Sequence, residues 1–145
     1  MKIKDVSHIA GRSVITIGPD ATVRQATEKL VQNKIGALPV CDTSGAVLGI
    51  ISERDILKTC ATRTASLDDT RVDTVMTKNL VVAVPEDDLD YISQVMISHG
   101  IRHLPIMNGP KLESMISMRD IVNAQLADLE VQVRFLNAYI SGSFV

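Results

Sequence analysis

The sequence predicts an α/β (α+β) fold: two β-α-β-β-α repeats packed about a pseudo-twofold axis, followed by a long C-terminal helix. Three matches carry this reading. Val14-Ile15-Thr16-Ile17-Gly18-Pro19 lies beside Leu80-Val81-Val82-Ala83-Val84-Pro85 at an offset of 85 − 19 = 66. Gly36-Ala37-Leu38-Pro39-Val40 lies beside Arg102-His103-Leu104-Pro105-Ile106 at 105 − 39 = 66. Ile50-Ile51-Ser52-Glu53-Arg54-Asp55-Ile56 lies beside Met115-Ile116-Ser117-Met118-Arg119-Asp120-Ile121 at 117 − 52 = 65. Three matches in one order at nearly one spacing mark an internal duplication. A unit of about sixty residues has a thin core, so the two copies are expected to pack on each other.

Local signals then place each element. A short strand ends at proline, Val14 to Ile17 in the first copy and Leu80 to Val84 in the second. Val23, Ala26, Leu30 and Val31 fall on one helical face behind a capping box of Thr22 and Gln25. Leu89, Ile92, Val95 and Met96 do the same in the second copy, where Asp87 and Asp88 suit the positive end of the helix dipole. Gly36 and Gly100 are placed to close these helices. Two apolar strands follow, Ala37 to Cys41 and Ala46 to Ser52, around the turn Asp42-Thr43-Ser44-Gly45. Their counterparts are His103 to Met107 and Leu112 to Ser117, around Asn108-Gly109-Pro110. A second helix begins after Ser52 and after Ser117. The polar, threonine-rich stretch Ala61 to Asp69 reads as the linker. The expected division is 1–66 for the first repeat, 67–124 for the second and 125–145 for a helical extension.

Composition narrows the function classes. The 145 residues are 46% hydrophobic and 22% charged, globular values that exclude a disordered tail or a disulfide-stapled miniprotein. Only 3% are aromatic, so the core must be aliphatic and a base-stacking platform is not expected. A net charge of −2 supplies no long-range attraction for nucleic acid or an anionic membrane, and neither is an expected partner. Cys41 and Cys60 lack CxxC spacing and read as reduced thiols. With no apolar leader after Met1 and no membrane-length apolar run, a cytoplasmic protein is expected. His99 and His103 are four apart, but Gly100 and Pro105 break any helix that would make them a metal pair, so no metal site is expected. No phosphate-loop, dinucleotide, zinc-protease or serine-elbow motif occurs, and no nucleophile–base pair can be named, so no enzyme and no catalytic cofactor are expected.

The duplicated strand, helix, G-A-L-P-V and G-I-I-S-E-R-D-I pattern resembles a tandem cystathionine-β-synthase (CBS) domain pair, or Bateman module, of the small stand-alone bacterial type. The resemblance runs from about Val6 to Ile121, and Tyr139-Ile140-Ser141-Gly142 resembles the tail of such proteins. It implies a sensor that binds adenosine-containing ligands (AMP, ADP, ATP, S-adenosylmethionine or NAD) between the repeats, rather than an enzyme.

Ser52-Glu53-Arg54-Asp55 and Ser117-Met118-Arg119-Asp120 each join an apolar strand to a helix, and each alone reads as a capping box. An ionised Asp also accepts two hydrogen bonds and matches a ribose diol, and capping and binding are compatible. The resemblance implies ribose contacts for Asp55 and Asp120, with Ser52 and Ser117 beside them. It places strand residues Ile17, Gly36, Ala37 and Leu38, with Ile51, Val84, Leu104 and Ile116, around the base. For phosphate, the Asp55 site is expected to face Arg102, His103 and Arg119, and the Asp120 site to face Arg54, Lys34 and the small Gly36-Ala37. Ser114 stands where the first copy has Gly49, and is expected to narrow the second pocket.

After Asp120, apolar residues recur at Val122, Leu126, Leu129, Val133, Leu136 and Ile140, spaced 4, 3, 4, 3, 4. This is a heptad-like seam with little of its own domain to cover, and it fits a homodimer contact. The reading is a regulatory module for an adenine nucleotide that signals to a separate, unidentified protein. The alternatives are an interaction module with empty clefts, or an accessory subunit of an enzyme or transporter.

Overall fold

The computed structural model describes residues 1–62 and 65–142. Repeat 1 comprises α1 (Val23–Asn33), β1 (Ala37–Cys41), β2 (Val47–Ser52) and α2 (Glu53–Thr62). Repeat 2 comprises α3 (Leu89–His99), β3 (His103–Asn108), β4 (Lys111–Ser117) and α4 (Met118–Ile140). Each repeat has one two-stranded antiparallel sheet. Ala37 pairs with Ser52 in the first and His103 with Ser117 in the second. The register slips at Val40/Cys41 and again at Ile106/Met107, so even the irregularity is duplicated.

The two expected leading strands shrink to single parallel bridges, Ile17 to Val40 and Ala83 to Ile106. Ile17 and Ala83 each donate to a strand proline carbonyl, Pro39 and Pro105, and then the ladder stops. Pro19 and Pro85 lie two residues further on and have no N–H with which to extend it.

The helix ends follow local chemistry. Thr22 Oγ1 accepts the Gln25 N–H at 3.1 Å and Gln25 Oε1 accepts the Thr22 N–H at 2.9 Å, the expected capping box. Gly100 closes α3 at φ +64°. α1, however, is closed by Lys34 at φ 53°, not by Gly36. The next amide, Ile35, reaches back to the Leu30 carbonyl at 3.1 Å, which completes the turn before Gly36 is reached. Val31 is also misplaced by the helical reading, for it is 73% exposed while Val23, Ala26 and Leu30 are buried. Asp88 precedes α3 without capping it, and Asp87 instead accepts the Val84 N–H at 2.8 Å.

Two aliphatic cores result, and the repeats exchange the segments that lead into them. Val72 lies in the core of repeat 1 with Leu38, Val40 and Ile51, and Val75 and Met76 pack against it. Ile3, Val6 and Ile9 lie in the core of repeat 2 with Leu104, Ile106 and Ile116. Each leader therefore closes the other repeat, which is how two thin units become one body. The expected linker, 61–69, is only partly described: α2 runs through Thr62, and Ser66 to Asp69 form a turn in which the Ser66 hydroxyl donates to Asp69 at 2.9 Å.

α4 leaves the body after Gln125, whose amide donates to Asp90 at 2.9 Å. Leu126, Leu129, Val133, Leu136 and Ile140 are all more than half exposed. Among the described residues no helix is long and apolar enough to cross a membrane.

Candidate functional site

A cleft of about 990 Å³ opens between the repeats. Its acid is Asp120, in the first turn of α4. Asp120 Oδ2 accepts the Ser117 N–H at 2.8 Å, and Ser117 Oγ accepts the Asp120 N–H at 3.1 Å, so the capping box is complete. The second oxygen is left over, and Arg12 Nη2 lies 3.0 Å from it. Asp120 is 15% exposed, so this carboxylate looks into the cleft, not into bulk water. The facing wall comes from repeat 1: Lys34, Gly36 and Ala37, with Glu53 behind them. Arg102, His103 and Arg119 complete the rim from repeat 2.

The two repeats meet closely at Gly36. A β-carbon there would lie 2.8 Å from His103 Cε1 and 3.0 Å from Glu53 Oε1. Gly36 is thus small for the sake of the imidazole opposite, not for a helix end. Burial holds His103 below the ordinary histidine pKa, and Arg102 adds to this, against the opposing pull of Glu53 and Asp120. His103 is therefore a neutral imidazole near pH 7.

Asp55 is engaged differently. Its Oδ2 accepts the Ser52 N–H at 2.9 Å and the Ser52 hydroxyl at 3.1 Å, and its Oδ1 accepts the Thr77 hydroxyl at 3.1 Å. Thr77 also exchanges backbone hydrogen bonds of 2.8 and 2.9 Å with Ile50. Both carboxylate oxygens are satisfied by the chain itself.

A family model described as CBS domain matches residues 4–62 and 72–127. The chain belongs to the CBS-domain family. A CBS-domain protein of Agrobacterium tumefaciens superposes with a TM-score of 0.81 at 36% identity, covering 86% of this chain and 99% of that one. An uncharacterized 17.7 kDa protein of Acidianus ambivalens is 35% identical over 83% of this chain and 73% of its own length. The structure of CBSX2 in complex with AMP shares the fold, with a TM-score of 0.73 at 23% identity over 87% of this chain and 96% of that one. CBS-domain pairs are regulatory modules, generally without catalytic activity.

Against this frame of two CBS repeats, several expected placements change. Arg102, His103 and Arg119 line the cleft of Asp120, not a site at Asp55. The reason is register: β3 pairs His103 directly with Ser117, the N-cap of α4, which brings the basic pair beside its own repeat's acid. Arg54 does not line the Asp120 cleft; its Nη1 donates to the Gly100 carbonyl at 2.9 Å, tying α2 to the end of α3. Lys34, Gly36 and Ala37 do face Asp120. Leu38, Ile51, Leu104 and Ile116 are 0–1% exposed core residues, and Ile17 is 7% exposed. A strand alternates faces, so a core-facing Leu38 leaves only its neighbour Ala37 for the cleft. Val84 is 40% exposed and lies outside this cleft. Ser114, expected to narrow the second pocket, lines this cleft.

Sequence reasoning missed Arg12, Glu53 and the exposed Cys60, which also line the cleft. The offset of 66 could have found Arg12: it stands opposite Lys78, directly after the position equivalent to Thr77 (78 − 12 = 66; 77 − 11 = 66). Cys41, which reads as a reduced thiol, is half-buried, and burial raises its pKa.

Proposed function

We propose that this CBS pair is a non-catalytic cytoplasmic sensor that takes a phosphorylated adenosine ligand in the Asp120 cleft, works as a homodimer, and signals occupancy to a separate protein. One observation carries the reading. An acid whose second oxygen is held only by the half-exposed Arg12 stands at the mouth of a 990 Å³ cleft rimmed by an excess of cations. Arg12, Lys34, Arg102 and Arg119 against Glu53 and Asp120 give 4 − 2 = +2, with His103 neutral. That balance suits the phosphates of AMP, ADP, ATP or NAD, and opposes the sulfonium of S-adenosylmethionine. The volume lies at the upper end of small-molecule sites, which run to about 1,000 Å³. In this assignment Asp120 and Ser117 hold the ribose, Ala37 and Gly36 give a flat wall for the base, and Lys34, Arg102 and Arg119 meet phosphate. The AMP held by CBSX2 supports the ligand class. Asp55 and Ser52, being mutually satisfied with Thr77, serve the fold.

Thermal shift and calorimetric titration with AMP, ADP, ATP, NAD and S-adenosylmethionine test this. A phosphorylated ligand at a hundredfold its Kd adds about 2.7 kcal/mol. One ligand per chain is expected, with S-adenosylmethionine the weakest of the set. No shift with any of the five overturns the sensor reading and favours an interaction module whose clefts stay empty.

A further inference from the structure

The two repeats bring equivalent leaders to equivalent strands, yet among the described residues the leader bridges its strand at only one of the two places. In repeat 1 the leader lies down on β2, bridging Thr77 to Ile50. It can do so because residue 49 is glycine. A β-carbon at Gly49 would lie 2.8 Å from the Thr77 carbonyl oxygen and 2.8 Å from Met76 Sδ. Real β-carbons do not approach a backbone oxygen so closely.

In repeat 2 the counterpart of Gly49 is Ser114 (114 − 49 = 65) and the counterpart of Thr77 is Gly11 (77 − 11 = 66). Among the described residues no bridge joins Gly11 to β4. The leader turns instead, with Gly11 at φ +76°, and Arg12 reaches the Asp120 carboxylate. Ala10 stands where Met76 stands in the other leader (76 − 10 = 66), so the long side chain that covers Gly49 has a single methyl as its counterpart.

We infer that Ser114 is a steric prop: its β-carbon keeps the first leader off β4 and so leaves one cleft of the pair open. The hydroxyl is not what matters. Ser114 is 2% exposed, and its Oγ contact with the Met115 carbonyl, at 3.5 Å, is long for a hydrogen bond. The prop sets the ligand count of the site proposed above and rests on that reading only for its binding consequence.

Hydrogen exchange on Ser114→Gly and Ser114→Ala, without ligand, tests the prop itself. In Ser114→Gly the amides of residues 11–13 are expected to exchange at least tenfold more slowly, because the leader can now pair with β4. In Ser114→Ala, which keeps the β-carbon, their exchange stays as in the parent chain. Equal exchange in the two variants overturns the inference, as does slowing in Ser114→Ala. A reciprocal variant, Gly49→Ala, should speed exchange at Thr77, and an unchanged Thr77 amide counts equally against the prop. Titration with AMP adds the binding consequence, at least tenfold weaker affinity for Ser114→Gly than for Ser114→Ala. If AMP binds none of these proteins, the nucleotide reading fails, while the exchange comparison still decides the prop.

Discussion

Arg12, from the segment leading into repeat 1, sits 3.0 Å from the carboxylate of Asp120 at the head of α4 in repeat 2. The pair spans the two repeats and uses the one oxygen that capping leaves over. Sugar hydroxyls entering the cleft would compete with Arg12 for that oxygen, whereas phosphate would gain from its charge. Arg12→Ala should therefore act in opposite directions on two ligands. Adenosine should bind the variant as tightly or more tightly, and AMP about tenfold more weakly, which is about 1.4 kcal/mol. Arg12 is 40% exposed, so the loss of stability should stay below about 1 kcal/mol. Parallel calorimetric titrations check this, and equal losses for both ligands contradict it.

Asp55 and Asp120 do the same capping work, so they separate capping from binding. Each receives the N–H of the serine three residues before it. Asp55→Asn and Asp120→Asn should each cost roughly 0.5–1 kcal/mol of stability. Only Asp120→Asn should lose AMP, by tenfold or more, since charged hydrogen bonds contribute about 1.5–3 kcal/mol. Urea unfolding and AMP titration of both variants make the comparison. An Asp55→Asn protein that loses AMP as severely would place the ligand at the other acid.

The contrast between the two acids also shows how far the sequence could be read. The repeats, the strand pairs, the capping serines and the two acids were all legible, because each depends on neighbours within a few residues. What was not legible depends on meetings between distant segments. Gly36 reads as a helix terminator, but Lys34 takes the left-handed position and Gly36 instead makes room for His103. Arg102 and His103 are expected opposite Asp55 but line the cleft that Asp120 lines, because how the two repeats face each other is not written in either repeat's own sequence. The Gly49/Ser114 difference is visible in the sequence, but its effect on the cleft depends on what lies against it. A side chain narrows a pocket only if nothing else competes for the space, and here the competitor is a whole leader segment.

His103 gives a pH dependence with a definite sign. Its folded pKa lies below the ordinary 6.5, because burial and Arg102 disfavour the imidazolium. The unfolded chain takes up this proton near pH 6.5, the folded chain only at lower pH. In between, the unfolded state holds more protons, so stability rises with pH. His103 thus contributes stability that is present above about pH 6.5 and lost as pH falls through the folded value. Tm measured from pH 7.5 down to 5 should fall less steeply for His103→Gln than for the parent chain. Saturating AMP should also flatten the parent's slope, since phosphate beside the ring favours its protonated form. Superimposable curves for the two proteins would remove His103 from the account.

The exposed apolar seam of α4 makes the strongest case for a second subunit. Val122, Leu129 and Leu136 take one heptad position, and Leu126, Val133 and Ile140 the other. The latter set is branched at the β-carbon in two of three places and the former is leucine in two of three, a combination that favours two parallel strands. The stretch from Leu126 to Ile140 is about 22 Å long at a rise of 1.5 Å per residue. Fewer than three heptads would not pair stably alone, so such a pairing would need the CBS bodies to hold the two helices together. Leu129 and Leu136 are 54% and 57% exposed and belong to neither core. The double change Leu129→Lys and Leu136→Lys should therefore yield a monomer by sedimentation equilibrium while leaving the cooperative unfolding of the body intact. A variant that sediments with the same mass as the parent chain would show that any self-association runs through another face, for which the exposed Val31, Leu57 and Ile97 are the next residues to change.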